Sequence, residues 1–149
     1  MKLETKNKVI NLVLKTRKIV DIANTLGNKN FEDAYFKAVQ SNDLDALSKI
    51  IYTLAEDEEG KHFFKTSLEV YDFLDEYKVE NNKTYSDIYK EISEAINNEG
   101  FFMKKMTKKE LEEMISNPLS GINMNELVQK SAEKAVTKMA EEQFTGFPA

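Results

Sequence analysis

The chain has 149 residues, of which 21 are Lys or Arg and 26 are Asp or Glu, and it has no cysteine. The lack of cysteine excludes thiol catalysis, zinc–thiolate sites and iron–sulfur clusters held by this chain. No segment approaches the roughly 20 apolar residues of a membrane-spanning helix, and no signal-peptide pattern follows the short apolar run at residues 9–14. The sequence therefore predicts a soluble protein of one domain, with or without an appendage.

The net charge of −5 is unevenly distributed along the chain. Residues 1–30 carry seven basic and two acidic side chains, residues 31–100 carry seven and seventeen, and residues 101–149 carry seven of each. Because phosphate neutralisation supplies most nucleic-acid affinity, the acidic centre argues against a nucleic-acid partner. The basic N-terminal residues are interpreted as solvated lysines at strand edges, which discourage unwanted strand pairing, with an acidic partner as the alternative.

β-Branched and apolar residues on both sides of residues 6–8 predict an N-terminal β-hairpin. Leu3 and Thr5 precede this polar, Asn-containing turn, and the apolar run at residues 9–14 follows it. An isolated two-stranded hairpin is only marginally stable, so we expect it to pack on helices or on another chain.

Apolar residues then recur at spacings of three and four, which is typical of amphipathic helices. Gly27 ends the first predicted helix, Asn30 caps the second, and Ser41 or Asn42 breaks and recaps the chain before the third. The apolar residues assigned to the first helix are Ile19, Val20, Ile22, Ala23 and Leu26, and those that line the third are Leu44, Leu47, Ile50, Ile51 and Leu54. The residues expected to face inward from the second helix are Phe31, Ala34, Tyr35, Ala38 and Val39.

A fourth helix is predicted over residues 66–78, and a fifth begins at Thr84, where Asp87 completes a capping-box-like pair. Gly100 ends the fifth helix, and the adjacent Phe101 and Phe102 are expected to fold back into the core, with an exposed aromatic anchor as the alternative. The residues predicted to form the core here, rather than a ligand site, are Tyr71, Phe73, Leu74, Ile88, Tyr89 and Ile92.

No pattern of catalytic, cofactor-binding or metal-binding residues is present in the sequence. The acidic run at residues 56–59 followed by Gly60 lacks the alternating spacing of a calcium loop and is interpreted as a solvated loop. His62 is the one histidine and has no partner in a recognisable motif. We therefore predict a protein that binds a partner rather than an enzyme, with no cofactor and no metal.

Composition changes after Phe102, which predicts a hairpin-plus-helical core domain at residues 1–102 and a peripheral, more mobile helical segment at residues 103–149. Thr107 and Glu110 form a capping box that opens a short helix, and Ser120-Gly121 is a flexible joint before a last helix. That last helix has a thin apolar stripe, with Ala where a core helix would carry Leu, and two aromatics follow it without a local partner. The predicted partner-binding residues are Leu127, Val128, Val136, Met139, Phe144 and Phe147, and the alternative is that this helix docks on its own domain or swaps with a second copy.

Three stretches of the chain resemble one protein family in pattern and order. They are KLETKNKVINLVLKTRKIVDIANTLG, NFEDAYFKAVQSNDLDALSKIIYTLAED and SLEVYDFLDEYKVENNKTYSDIYKEISEAINNEGFF, and together they cover about three fifths of the chain. In this order they resemble the tail assembly chaperones of long-tailed phages and prophages of Gram-positive bacteria. The chain departs from that family in the first turn, where Lys6, Asn7 and Lys8 stand in place of a frequent glycine.

The change from β-type residues before Lys15 to apolar stripes of helical period after it predicts a mainly α fold of the α+β type, with an N-terminal β-hairpin followed by a compact bundle of six or seven short helices. The resemblance implies a non-enzymatic protein that binds the tape-measure protein, keeps it soluble until the tail tube assembles, and is absent from the mature virion. The implied location is the cytoplasm of the host bacterium. The implied partners are the tape-measure protein and the tail-tube protein, with no nucleic acid and no membrane, and a homo-oligomer is left open.

Two other classes of protein remain as alternatives at this point. One is a small helical regulatory module, although no basic recognition helix for DNA is evident in the sequence. The other is a structural tail or head-completion protein, which would stay in the finished particle.

Overall fold

The structure is a computed structural model, and it describes residues 1–116. Three short strands and six helices lie within this range, so the predicted mainly α fold with an N-terminal hairpin is confirmed. In chain order the elements are β1 (Lys2–Glu4), β2 (Val9–Leu12), α1 (Thr16–Thr25), α2 (Phe31–Gln40), α3 (Leu44–Leu54), β3 (Ala55–Glu56), α4 (Leu68–Asn81), α5 (Tyr85–Asn98) and α6 (Lys108–Ser116).

The hairpin of β1 and β2 forms around the predicted polar turn. The strands are antiparallel, with Leu3 opposite Ile10, and both side chains are fully buried. The Thr5 N–H donates to the Lys8 carbonyl at 2.9 Å, and the Lys8 N–H donates to Thr5 Oγ1 at 3.1 Å. The turn is thereby closed by local hydrogen bonds without a glycine, and the buried face of the hairpin packs on the helices as expected.

A third strand, β3, extends the hairpin into a small sheet of order β1-β2-β3. Leu12 lies opposite Ala55 in an antiparallel pair, and the Val13 N–H donates to the Leu54 carbonyl at 3.0 Å. The sequence interpretation of residues 56–59 as one solvated loop is wrong at Glu56, which belongs to β3 and is 8% exposed. Two residues are too few to show strand periodicity, because the pairing depends on β2, over 40 residues away in the chain.

Local signals place the ends of α1 and α2 where the sequence predicts them. Gly27 has φ +80°, and the Asn28 N–H donates to the Ala23 carbonyl at 3.0 Å, which closes the end of α1 in the left-handed conformation that favours glycine. Asn30 Oδ1 accepts from the Asp33 N–H at 3.0 Å and caps α2.

The break between α2 and α3 differs from the prediction in the capping residue. Asn42 adopts a left-handed conformation with φ 53°, which Asn tolerates better than most side chains. The cap of α3 is the next residue, Asp43, whose Oδ1 accepts from the Ala46 N–H at 3.0 Å. Ser41 or Asn42 therefore ends α2, but neither recaps the chain.

The predicted start of α5 is confirmed, whereas the bounds of α4 shift along the chain. Thr84 Oγ1 accepts from the Asp87 N–H at 3.1 Å and Asp87 Oδ2 accepts from the Thr84 N–H at 2.9 Å, so both bonds of the capping box form. Helix α4 begins at Leu68 rather than at residue 66 and continues to Asn81, three residues beyond the prediction.

The core collects the buried faces of β1, β2 and the first five helices. Most of the predicted inward residues are buried, and Phe102 folds back as expected, stacking against Phe31 at a centroid distance of 6.3 Å. The prediction that Tyr71 is a core residue is wrong, since its side chain is exposed, and Val20 and Leu44 of the apolar sets of α1 and α3 are exposed as well. All three lie at the edge of an inward helix face, where spacing alone does not fix burial.

The Asn97 amide helps to hold the segment after α5 to the core, together with a hydrogen bond from the Met103 N–H to Glu32 Oε1 at 2.8 Å. Asn97 Nδ2 donates to the Met106 carbonyl at 3.0 Å, and the Met106 N–H donates to Asn97 Oδ1 at 2.9 Å. The capping box of α6 also forms, with the Thr107 N–H donating to Glu110 Oε1 at 2.9 Å. Leu111 is buried, and the compact unit extends over Met1–Glu112.

A second unit comprises Glu113–Ala149, of which the structure describes only residues 113–116. The predicted division into residues 1–102 and 103–149, and the expected mobility of the second part, stay predictions.

Candidate interaction surface

The residues predicted to bind a partner lie outside the described part of the chain. Their assignment therefore stays a prediction from sequence. They are Leu127, Val128, Val136, Met139, Phe144 and Phe147.

Helix α4 presents the most distinctive exposed surface in the described residues. Its inward face is buried in the core through Val70, Phe73, Leu74 and Tyr77. On the opposite side, Leu68, Asp72, Asp75 and Val79 recur at spacings of four, three and four, which places them along one outward line. We call these four residues the α4 stripe.

The α4 stripe combines apolar ends with an acidic middle. Leu68 is 65% exposed and Val79 is 80% exposed, although both are large aliphatic residues. At 1.5 Å per residue the two lie about 16 Å apart along the helix. Within residues 1–116 neither Asp72 nor Asp75 makes an ion pair. The stripe is therefore both apolar and negatively charged, and its two carboxylates form no ion pair with a cation of residues 1–116.

The other acidic residues of α4 are used within the fold. Glu69 Oε1 accepts from the Lys65 N–H at 2.9 Å, and Glu80 Oε1 accepts from the Lys6 N–H at 2.7 Å. Glu76 lies 3.6 Å from Lys8 Nζ. These contacts tie α4 to the preceding loop and to the turn of the hairpin. Glu69, Glu76 and Glu80 therefore have a structural role, and Asp72 and Asp75 are the acidic residues of α4 that belong to the α4 stripe.

A polar contact fixes the border between α3 and α4. The Tyr71 hydroxyl donates to Asp45 Oδ1 at 3.0 Å, and Lys49 Nζ lies 2.9 Å from Asp45 Oδ2. The hydrogen bond from Lys49, followed by that from Tyr71, holds the pKa of Asp45 below its ordinary value. This arrangement explains why Tyr71 is at the surface rather than in the predicted core.

A second surface, of opposite charge, follows α5. Lys104, Lys105, Lys108 and Lys109 are exposed, and Met103 beside them is 85% exposed. None of these four ammonium groups forms an ion pair with a carboxylate in the described range. We call residues 103–109 the basic segment.

The two lysines at the start of α6 interact unfavourably with the positive end of the helix dipole. The positive end of the helix dipole favours acidic residues in the first turn, yet Lys108 and Lys109 occupy its first two positions. Glu110 partly offsets their charge as the acidic member of the capping box, and the hydrogen bond from the backbone N–H of Thr107 lowers the pKa of its carboxyl group. A strong local concentration of positive charge therefore remains at this surface.

The acidic residue of β3 is paired inside the fold. Lys18 Nζ donates to Glu56 Oε2 at 2.6 Å and to the Leu54 carbonyl at 3.1 Å, while Lys15 Nζ lies 3.7 Å from the same carboxylate. The Lys18 hydrogen bond lowers the pKa of Glu56. Lys15 and Lys18 thus contact an acidic residue of the sheet, whereas the sequence interpretation places the N-terminal lysines in solvent at strand edges.

The buried hydroxyl groups have structural partners. Tyr35 Oη lies 2.6 Å from Ser93 Oγ, and Ser93 donates to the Tyr89 carbonyl at 2.7 Å. The Tyr89 hydroxyl in turn donates to the Asp43 carbonyl at 2.6 Å. Burial raises the pKa of both tyrosines far above the ordinary value, so both stay neutral and link α2, α3 and α5.

Metal and small-molecule sites find no support in the described residues. No group of three His, Asp or Glu side chains within residues 1–116 is placed to hold a metal ion. His62 is exposed, with its ring 4.5 Å from that of Tyr52. A small indentation between the hairpin, α3 and α5 has an almost entirely apolar lining, formed by Met1, Leu12, Leu14, Leu54, Ile92 and Ala95.

In the part of the chain that the structure describes, every helix is too short or too polar to cross a membrane.

Comparison of the chain with protein-family models, with curated proteins and with solved structures gave no match. From the sequence, Asp72 and Asp75 are interpreted as part of a solvated polar face and the lysine pairs as marks of a peripheral segment, and neither set is predicted to bind a partner. The available signal was Leu68 and Val79, two aliphatic residues that lie off the inward face of an otherwise regular helix.

Proposed function

We propose that this chain is a non-enzymatic tail assembly chaperone of a long-tailed phage or prophage. It binds the tape-measure protein and keeps it soluble in the host cytoplasm until the tail tube assembles, and it leaves before the virion is complete. The observation that carries the proposal is the way the three resembling stretches fold. They form the hairpin with α1, the α2–α3 pair, and α4–α5 with Phe102, in the order that the resemblance implies.

The roles of the polar side chains also support a binding function. Asp43 and Asp87 cap helices, Glu56 pairs with Lys18, and the hydroxyl group of Tyr35 is buried against Ser93. These groups are committed to holding the fold. The conspicuous exposed features are surfaces of mixed apolar and charged character, such as the α4 stripe, which suits weak and reversible contacts with another protein.

The test is co-expression with the tape-measure protein encoded beside this chain in the same genome. We expect the full chain to raise the soluble fraction of that protein several-fold over an empty vector. A chain that leaves the soluble fraction unchanged, although both proteins accumulate, contradicts the proposal.

The predicted contact residues are tested in the same assay. The double variant Leu127→Ser/Val136→Ser should lose the solubilising effect if the last helix binds the tape-measure protein. Lys130→Ser/Lys134→Ser changes the same number of residues in the same segment without removing apolar side chains, and it should retain the effect. If a chain truncated after Gly121 solubilises as well as the full chain does, the contact lies within residues 1–121.

A further inference from the structure

The α4 stripe has the residue spacing of a coiled-coil seam. Leu68, Asp72, Asp75 and Val79 follow one another at intervals of four, three and four, which places them at successive d, a, d and a positions of a heptad repeat. Val at an a position with Leu at a d position is the combination that favours two-stranded coiled coils. All four residues are exposed on the side of α4 opposite its buried face, so no helix of residues 1–116 covers this seam.

The two aspartates occupy the centre of the seam, where a coiled coil ordinarily has apolar residues. Neither carboxylate forms an ion pair within residues 1–116. A charge at an a or d position lowers the stability of a coiled coil and selects its partner, because the facing positions must compensate for that charge. A like helix would bring aspartate against aspartate, so the seam fits a helix of different composition with basic residues at the facing positions.

We infer that α4 binds, through this seam, an amphipathic helix of another protein with two Lys or Arg residues at the central seam positions and aliphatic residues on either side. The long stems of Lys and Arg pack along apolar surface while their charged ends reach the carboxylates of Asp72 and Asp75. Opposite charges at contact distance attract. The aliphatic residues of the partner cover Leu68 and Val79 and remove them from water.

Contacts on both sides of the seam hold α4 in place before a partner binds. The Tyr71 hydroxyl donates to Asp45 Oδ1 at 3.0 Å on the side of α3, and Glu80 Oε1 accepts from the Lys6 N–H at 2.7 Å on the side of the hairpin. Binding therefore orders few groups of this chain, which reduces its entropic cost.

The seam covers about three helical turns, which makes a small interface and predicts a weak, reversible contact. The inference goes beyond the proposed function, because it holds for any protein that carries such a helix. The predicted contact with the tape-measure protein lies on the last helix and not on α4, so the two proposals stand or fall separately.

Synthetic peptides provide the first test. The probe is a helical peptide of about three heptads with Leu, Lys, Lys and Leu at the seam spacing, and with equal numbers of Lys and Glu so that it has no net charge. Its seam order is the same in both directions, so it can pair with α4 in either orientation. The control peptide has the same composition, but its two seam lysines are exchanged with glutamines of the opposite face.

Fluorescence anisotropy with the full chain compares the two peptides. We expect the peptide with seam lysines to bind at least about tenfold more tightly than the control peptide, which corresponds to about 1.4 kcal/mol. Equal affinities, or no binding of either peptide at concentrations up to about 1 mM, overturn the inference.

Two exposed valines test the apolar part of the contact. Val79 lies in the seam, whereas Val20 lies on α1 and is 50% exposed. Val79→Ser should lower the affinity for the peptide with seam lysines at least about threefold, and Val20→Ser should leave it unchanged. Equal effects of the two substitutions show that the peptide does not bind along the seam.

Charge exchange across the contact gives the most specific result. Asp72→Lys/Asp75→Lys should bind the peptide with seam lysines at least about tenfold more weakly, and it should gain affinity for a peptide with Glu at the same two positions. That gain also shows that the variant is folded. Glu58→Lys/Glu59→Lys makes the same change in net charge at exposed positions of the loop after β3, and it should keep the preference of the unmodified chain. If both variants behave alike, or if the first retains the preference for seam lysines, the inference is wrong.

Discussion

Lys18 and Glu56 form the ion pair that joins the first helix to the edge of the sheet. The Lys18 ammonium donates to Glu56 at 2.6 Å and also to the Leu54 carbonyl, and both side chains are largely removed from solvent. The pair joins a basic residue of the N-terminal region to an acidic residue of the central region, and it thereby links α1 to β3.

Replacement of Glu56 should therefore weaken the fold. Glu56→Gln leaves Lys18 without its carboxylate, and we expect the free energy of unfolding at pH 7 to fall by about 1–3 kcal/mol, as for a hydrogen bond to a charged group. Urea unfolding measures this difference. Glu59→Gln removes a carboxylate that lies 3.8 Å from Lys61 at the surface, and it should leave the urea midpoint unchanged.

The same pair predicts a pH dependence. Because Lys18 lowers the pKa of Glu56 in the folded state, the stabilisation is fully present above the unfolded-state pKa of about 4.3 and is lost as the pH falls through the lower folded-state value. The stability difference between the unmodified chain and Glu56→Gln should thus shrink as the pH falls below about 4.3. A difference that stays constant over this range would show that the carboxylate acts through packing alone.

Two leucines of α4 offer a matched pair for testing the inward and outward faces. Leu74 is 2% exposed, so Leu74→Ala should leave a cavity and cost about 2–5 kcal/mol of unfolding free energy. Leu68 belongs to the α4 stripe, and Leu68→Ala should change stability by less than about 0.5 kcal/mol. Equal losses in thermal or urea unfolding would contradict the assignment of the two faces.

Asn97 should hold the segment after α5 in place. Asn97→Ala removes both hydrogen bonds to Met106 at a buried position, and we expect a loss of about 1–3 kcal/mol together with faster amide exchange at Met106. The neighbouring Asn98 is exposed and serves as the control. If Asn98→Ala lowers stability as much as Asn97→Ala does, loss of a helical Asn rather than loss of the two bonds is responsible.

Much of the fold could be predicted because its signals are local. Asn30, Thr84 with Asp87, and Thr107 with Glu110 cap their helices through contacts within three residues, and Gly27 ends α1 in the same local way. The short strand β3 could not be predicted, since Ala55 and Glu56 become a strand only by pairing with β2.

Side-chain burial at stripe edges also depends on contacts between distant elements. Tyr71 follows the expected helical spacing, but its hydroxyl group reaches Asp45 on α3 and holds the ring at the surface. The candidate surfaces on α4 and at residues 103–109 escaped prediction for a related reason. Their charged groups form no ion pair within residues 1–116, which becomes evident only when the partners of the other charged residues in this range are known.

The proposed function is tested most directly by following the chain through tail assembly in phage-producing cells. Quantitative mass spectrometry would compare complexes that contain the tape-measure protein before tube formation with purified virions. We expect this chain to be abundant in the early complexes and to be absent from the virions. Its presence in virions at a fixed copy number per particle would contradict a chaperone role and would favour a structural tail or head-completion protein.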